Sequence, residues 1–130
     1  MEKGSIFMRE FDLSSDVYSL FLEAFKDKNP LHTDDSFAQS KGFEMRVMHG
    51  NILNGFISYF IGECLPTKNV IIQKQEIQFH LPVYVNSKLK FEAKIEEFYE
   101  SVNSYEFKFY FENENRKKVA KGKIQIGILK

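Results

Sequence analysis

The spacing of apolar residues changes at Pro66, and that change limits the possible folds more than any other feature of the chain. Before it, Ile52 and Leu53, Phe56 and Ile57, and Phe60 and Ile61 recur every four residues, the mark of a helix with a wide apolar face. After it the period is two. Ile77, Phe79 and Leu81 alternate with Gln78, His80 and Pro82, and Leu89, Phe91, Ala93 and Ile95 with Lys90, Glu92, Lys94 and Glu96. Tyr105, Phe107, Phe109 and Phe111 alternate with Glu106, Lys108, Tyr110 and Glu112, and Ile124, Ile126 and Ile128 repeat the pattern. These segments read as four strands, each with one buried face. Asn86-Ser87, Asn103-Ser104 and Asn113 to Arg116 supply turn residues between them, which makes neighbouring strands antiparallel.

The N-terminal half is helical after a short opening strand, in which Ile6 and Met8 fall on one side and Phe7, Arg9 and Phe11 on the other. Ser14 or Ser15 caps a helix whose apolar stripe is Val17, Leu20, Phe21, Ala24 and Phe25, with Tyr18, Ser19, Glu23 and Lys26 on the wet side. It should end near Lys28, ahead of Pro30. Thr33, Asp34 and Asp35 cap a brief second helix through Phe37 and Ala38 that Gly42 stops. A phenylalanine-rich sheet needs a cover, and the Gly50 to Leu65 helix is the apolar element able to supply it. The expected architecture is α+β: a hot-dog fold over residues 1–130 as one domain, with an antiparallel sheet wrapped around a central helix.

Composition removes several function classes. With 18 Lys and Arg against 18 Asp and Glu, and no basic cluster, phosphate-driven nucleic-acid binding has little support. The apolar Ile52 to Leu65 segment is broken by Asn54, Gly55, Ser58, Gly62 and Glu63 and is shorter than the roughly 20 residues a bilayer requires, so no membrane partner is expected. A single cysteine, Cys64, cannot form an intrachain disulfide and reads as a small core residue, which together with the absence of a signal-peptide pattern points to a reducing, cytoplasmic setting. His32, His49 and His80 have no ligand-like spacing, and no glycine-rich nucleotide loop follows a strand, so neither a metal nor a cofactor is expected.

Chemistry is concentrated between Asp27 and Ser58. A carboxylate, Asp27, and an imidazole, His32, stand five residues apart around Pro30, and a helix N-terminus follows at Gly50. An acid/base pair beside backbone donors suits proton transfer next to a developing oxyanion. Each residue also has a plain reading: Asn29-Pro30 terminates helices, Ser58 can bond back to its own helix, and His80 belongs to the face opposite Phe79 as a structural or surface residue.

The ordered set Asp27-x-Asn29-Pro30-x-His32-x-Asp34, Phe37-Ala38, Gly42-Phe43, Arg46-Val47-x-His49-Gly50, Ser58, Gly62, Leu65-Pro66 and Phe79-x-x-Pro82-Val83 resembles the MaoC-like (R)-specific enoyl-CoA hydratases. The likeness runs from about Asp27 to Val83; the later strands agree in alternation alone. It implies reversible addition of water to a trans-2-enoyl thioester of CoA or acyl carrier protein, in a homodimer. It implies Asp27 and His32 as the catalytic pair, the Gly50 N–H as donor to the thioester oxygen, and Asn29, Ser58 and His49 in support. One departure stands out. The family usually has Met after its His-Gly pair, whereas this chain has Asn51, with Asn54 one turn on; these two and Phe56 are expected to border the substrate pocket. Other readings on the same fold are a protein, or partner subunit, that binds acyl thioesters without turning them over, and a thioesterase.

Overall fold

The computed structural model describes residues 1–130. Five strands, β1 (Ile6–Leu13), β2 (Val70–Phe79), β3 (Ser87–Tyr99), β4 (Ser104–Glu112) and β5 (Lys118–Ile128), form one antiparallel sheet in the order β1-β3-β4-β5-β2. The alternation of the last three strands predicts their buried faces: Leu89, Phe91, Ala93, Ile95, Phe107, Phe109, Phe111, Ile124 and Ile126 all lie in the core. Phe7, Phe11 and Leu13 turn inward from β1, leaving Ile6 and Met8 exposed.

Two expectations about the sheet need correction. The strand after Pro66 begins at Val70 and ends at Phe79, so Leu81 and Pro82 lie beyond it, and Phe79 and Leu81 are partly exposed. That strand is also not the neighbour of β3, despite the turn residues at Asn86-Ser87. It crosses the sheet to pair with β5, while β3 sits between β1 and β4. Asn86, in the left-handed region at φ 68°, instead donates its N–H to the Leu13 carbonyl at the end of β1.

The sheet curls around α4 (Ile52–Tyr59) and the π-helical turn Phe60–Cys64 that extends it. Ile52, Leu53, Ile57, Phe60 and Ile61 are buried against the strands, with the Phe60 ring 4.9 Å from that of Phe91 and 6.0 Å from that of Phe107. Past the widened turn, the Lys68 ammonium meets the free carbonyls of Gly62 and Glu63 and the Glu63 carboxylate, closing the helix end that Pro66 forbids from continuing. Phe56 leaves the helix on its flank and stacks on Phe11, centroids 4.5 Å apart, a contact worth about 1 kcal/mol beyond its burial.

The N-terminal helices pack outside this core. α1 (Ser15–Phe25) is capped by Ser14, whose hydroxyl accepts from Val17 N–H, and ends at Lys26 in the left-handed region, short of the expected Lys28. Its wet and dry sides also differ from expectation. Tyr18 is buried at 9% exposure, whereas Leu20 and Phe25 of the apolar stripe are 65% and 70% exposed. Pro30 does not stop α1; it occupies the first turn of α2 (Pro30–Thr33), where its missing N–H costs nothing. Asp34 then caps α3 (Asp35–Ser40), and Gly42 at φ 94° ends it as expected.

Candidate active site

Asp27 lies in the extended link between α1 and α2, and three contacts hold that link in place. Its carboxylate accepts the Asn29 N–H at 3.2 Å, and the Asn29 side chain in turn accepts the Leu31 N–H at 2.9 Å as the N-cap of α2. The Asp27 carbonyl accepts from Nε2 of His49 at 2.8 Å. Asn29 therefore fixes the loop through its side-chain bond to the Leu31 backbone.

His32 is held from both ends. Its Nδ1 donates to the Val47 carbonyl at 2.8 Å, and its own carbonyl accepts the Tyr18 hydroxyl at 2.5 Å. In the neutral ring this leaves the Nε2 lone pair free, and Nε2 lies 3.8 Å from Oδ2 of Asp27. The strap that carries Val47 is tied on both sides, by Val47 N–H to the Leu31 carbonyl and Met48 N–H to the Val83 carbonyl. Arg46 anchors its start through Asp35 while lying over the Tyr18 ring, 5.2 Å from the centroid.

His49 is 3% exposed, and its ring stacks on that of His32 with centroids 4.1 Å apart. Phe21 covers it at 4.8 Å, and its Nδ1 is the one buried side-chain polar atom in the protein without a hydrogen-bond partner. His49 thus supports the loop bearing Asp27 through its ring, while its carbonyl accepts the Ile52 N–H at the start of α4. The three-way meeting corrects the spacing argument about metals: one donor atom each from Asp27, His32 and His49 lies within 4.8 Å of the others. Each ring commits one nitrogen to a backbone carbonyl, Nδ1 of His32 to Val47 and Nε2 of His49 to Asp27, and keeps one nitrogen uncommitted.

Gly50 precedes α4 in the turn made by Ile52 N–H on the His49 carbonyl and Leu53 N–H on the Gly50 carbonyl. The N–H groups of Gly50 and Asn51 have no acceptor within the protein. A side chain at position 50 would put its Cβ 2.9 Å from Cε1 of Phe79, so only glycine leaves both the ring and the donor in place.

These groups stand at the meeting of two cavities. The larger, about 800 Å³, lies between α1 and the first turns of α4. Val17, Leu20, Phe21, Ala24, Phe25, Ile52 and Phe56 form its apolar wall, with Asp27, His32, His49, Gly50, Asn51, Asn54 and Gly55 completing it. The apolar stripe of α1 thus faces a cavity and not a core. A second cavity, about 430 Å³, runs between Phe43, Val47 and the Phe79–Val83 segment, and the two share His32, Gly50 and Asn51. His80, exposed as one of its two expected readings has it, also lines the second one. Both volumes fall in the range of small-molecule sites.

Ser58 is not brought to Asp27. It continues the Asn54–Gly55 face of α4 by one more turn, but the cavity wall stops at Phe56 and Ser58 is exposed. Tyr18, Phe21 and Phe79 were missed as site residues. Helical spacing alone put Tyr18 on the wet side, and the one available signal was that its hydroxyl needs a partner if the ring is buried.

A sheet wrapped around one helix, with a carboxylate and imidazole facing each other beside a free backbone donor, defines a hot-dog protein whose cavity holds groups able to move a proton. The chain belongs to the MaoC like domain family, whose model matches residues 7–114. It is 36% identical over 75 residues to the (R)-specific enoyl-CoA hydratase of Aeromonas caviae, covering 58% of this chain and 56% of that protein. It is 27% identical over 125 residues to the mitochondrial 3-hydroxyacyl-[acyl-carrier-protein] dehydratase of Arabidopsis thaliana, covering 94% of this chain and 74% of that one. Among solved structures, the R-hydratase PhaJ1 of Pseudomonas aeruginosa in its unliganded form superimposes with a TM-score of 0.89 at 26% identity, covering all of this chain and 83% of that one. The chain spans about half the length of the two (R)-specific enoyl-CoA hydratases it matches. No helix is long and apolar enough to cross a membrane.

Proposed function

We propose that the protein is a hydro-lyase that adds water reversibly to a trans-2-enoyl thioester of CoA or acyl carrier protein, giving the (R)-3-hydroxyacyl thioester. The observation that carries this reading is the 3.8 Å gap between Nε2 of His32 and Oδ2 of Asp27. It is too long for a direct hydrogen bond and short enough for one water to donate a proton to each. A water so held presents its oxygen lone pairs outward, towards the β-carbon of an enoyl group.

As the water oxygen bonds to the β-carbon, the double-bond electrons move onto the thioester oxygen. The pair takes one proton from the water and delivers one to the α-carbon on the same face, so atoms and charge balance. The negative charge that gathers on the thioester oxygen meets the Gly50 N–H, a donor with no other acceptor to lose. The acyl chain lies along the apolar wall from α1, and the carrier arm leaves through the second cavity. The names of the relatives cover both CoA and carrier-protein thioesters, which supports the substrate class. Ser58 has no part in this scheme within one protomer. No step calls for a metal or an organic cofactor, and the lone thiol Cys64 suits a reducing, cytoplasmic compartment.

The test mixes purified protein with crotonyl-CoA, longer enoyl-CoA thioesters and enoyl-carrier-protein thioesters. Loss of the conjugated enoyl absorbance without release of free thiol is the expected result. Thiol release would assign a thioesterase, and binding without either change would leave an acyl-thioester-binding protein.

We further propose that the 130-residue chain acts as one unit in a homodimer. β2 is a ten-residue edge strand with its outer backbone groups unpaired and Ile71 and Phe79 half exposed. Gln75 of that strand bonds Asn54 on the cavity wall, so a partner at this edge closes over the same site. Sedimentation should show twice the 15.3 kDa mass of one chain; a fully active monomer would end the proposal.

A further inference from the structure

The amide of Asn51, which stands where the family usually has Met, is joined to two others. Nε2 of Gln75 donates to Oδ1 of Asn54, and Nδ2 of Asn54 donates to Oδ1 of Asn51 at 2.9 Å. The three dipoles run head to tail from the sheet edge to the start of α4, and each bond polarises the next. The relay ends at Nδ2 of Asn51, whose two hydrogens have no acceptor in the protein. Asn51 is also an unusual N-cap. An asparagine in that position normally spends its side-chain oxygen on a backbone N–H of the first turn, yet here it makes no capping bond and gives the oxygen to Asn54 instead.

Position gives that free donor a use. Asn51 follows Gly50 directly and, with Gly50 and His32, is one of the three residues shared by both cavities. A thioester lying with its acyl chain in one and its carrier arm in the other places its carbonyl at that junction. We propose that the Asn51 side-chain amide is a second donor to the thioester oxygen, beside the Gly50 N–H. Asn54 and Gln75 are then positioning residues that aim it. The proposal rests on the enoyl-thioester reading above and adds a specificity that reading does not contain. The site grips the thioester oxygen from a side chain as well as from the backbone, and Gln75 makes that grip depend on the sheet edge.

The experiment follows turnover of crotonyl-CoA together with the absorption of a bound 4-dimethylaminocinnamoyl-CoA, whose band moves to the red as hydrogen bonds pull electron density towards its carbonyl. Asn51→Leu should lower kcat by about tenfold to a hundredfold, towards the cost of removing one oxyanion donor. KM should stay within about threefold, because the interaction strengthens as charge develops. The red shift should shrink in Asn51→Leu and, to a smaller degree, in Gln75→Leu, a change that mere loosening of the helix start would not produce.

Asn51→Asp guards against a folding defect. It keeps the oxygen that receives Asn54, but presents an acceptor where the donor stood, so it should lose more activity than Asn51→Leu. Normal kcat and a full red shift in either Asn51 variant overturn the proposal while leaving the hydratase reading intact. A wild-type protein that shifts the probe, loses the shift in Asn51→Leu and yet hydrates nothing would keep the donor and overturn the hydratase. Neither turnover nor a shift in the wild type overturns both.

Discussion

Asp27→Asn is expected to remain folded and to lose at least about a hundredfold in kcat on enoyl thioesters, the lower end of what a positioned acid or base contributes. Folding survives because the amide oxygen still accepts the Asn29 N–H that the carboxylate now accepts at 3.2 Å. Chemistry fails because an NH₂ group then faces Nε2 of His32, where a carboxylate oxygen stands 3.8 Å away. The new donor competes for the lone pair that would have taken a proton from water, so one substitution removes both acceptors. His32→Ala should match it in magnitude. His32→Asn is the sharper variant, since its amide nitrogen can reproduce the Nδ1 bond to the Val47 carbonyl while offering nothing in place of Nε2. Because both groups hold the same water, the Asp27→Asn/His32→Asn double variant should be little worse than either single one. Steady-state assays on crotonyl-CoA with circular dichroism as a fold control decide it. Near-normal rates in a folded single variant remove that residue from the catalytic assignment.

Gly122→Ala should be the most damaging small change to stability. Its Cβ would lie 1.9 Å from the Glu76 carbonyl oxygen and 3.0 Å from the Ile77 Cα. Both are backbone atoms of β2, so no side-chain rotation relieves the overlap. β2 is an edge strand with β5 as its one partner, and Gly122 sits opposite Ile77 in that ladder. Relief therefore means parting the two strands, at a cost of about 3 kcal/mol, the upper end for overpacking. Thermal unfolding should fall by about 10 °C. Gly62→Ala, whose Cβ would meet nothing within 4 Å, should change the midpoint far less. Equal midpoints for the two variants would refute the steric account. Activity should fall in Gly122→Ala even below its unfolding temperature, because β2 carries Gln75 against Asn54 and Phe79 against Gly50.

Particular residues show where sequence was sufficient. Phe91, Phe107, Phe109 and Phe111 announced their faces by alternation, because a strand's side chains take opposite sides whatever lies next to it. Ser14 and Gly42 marked helix ends through local bonding and backbone freedom alone. Tyr18 shows where it was insufficient. Helical spacing gives a stripe, but which side of the helix meets protein depends on what packs there. Here the strap through Arg46 and the carbonyl of His32 claim the Tyr18 side. The Leu20 and Phe25 side is left to the cavity.

The candidate site divides in the same way. Asp27, Asn29, His32 and Gly50 were recognisable because they lie within one ordered stretch of sequence, and the loop around Pro30 is shaped by bonds between residues two apart. Ser58 was carried to the site by pattern, and the protomer leaves it outside. His49 reaches Asp27 across 22 positions, and Gln75 reaches Asn54 across 21. No local period encodes such meetings.

By itself the sequence determined the helical and extended segments, the apolar helix that the sheet must cover, and the residues able to move a proton. Each follows from interactions within a few positions of the chain. Tertiary structure alone decided that β2 crosses to the far edge, that α1 turns its apolar stripe to a cavity, and that two histidines stack beside one carboxylate. Strand order, buried faces and stacked rings come from packing between distant residues, whose cost and gain appear only once the chain has closed on itself.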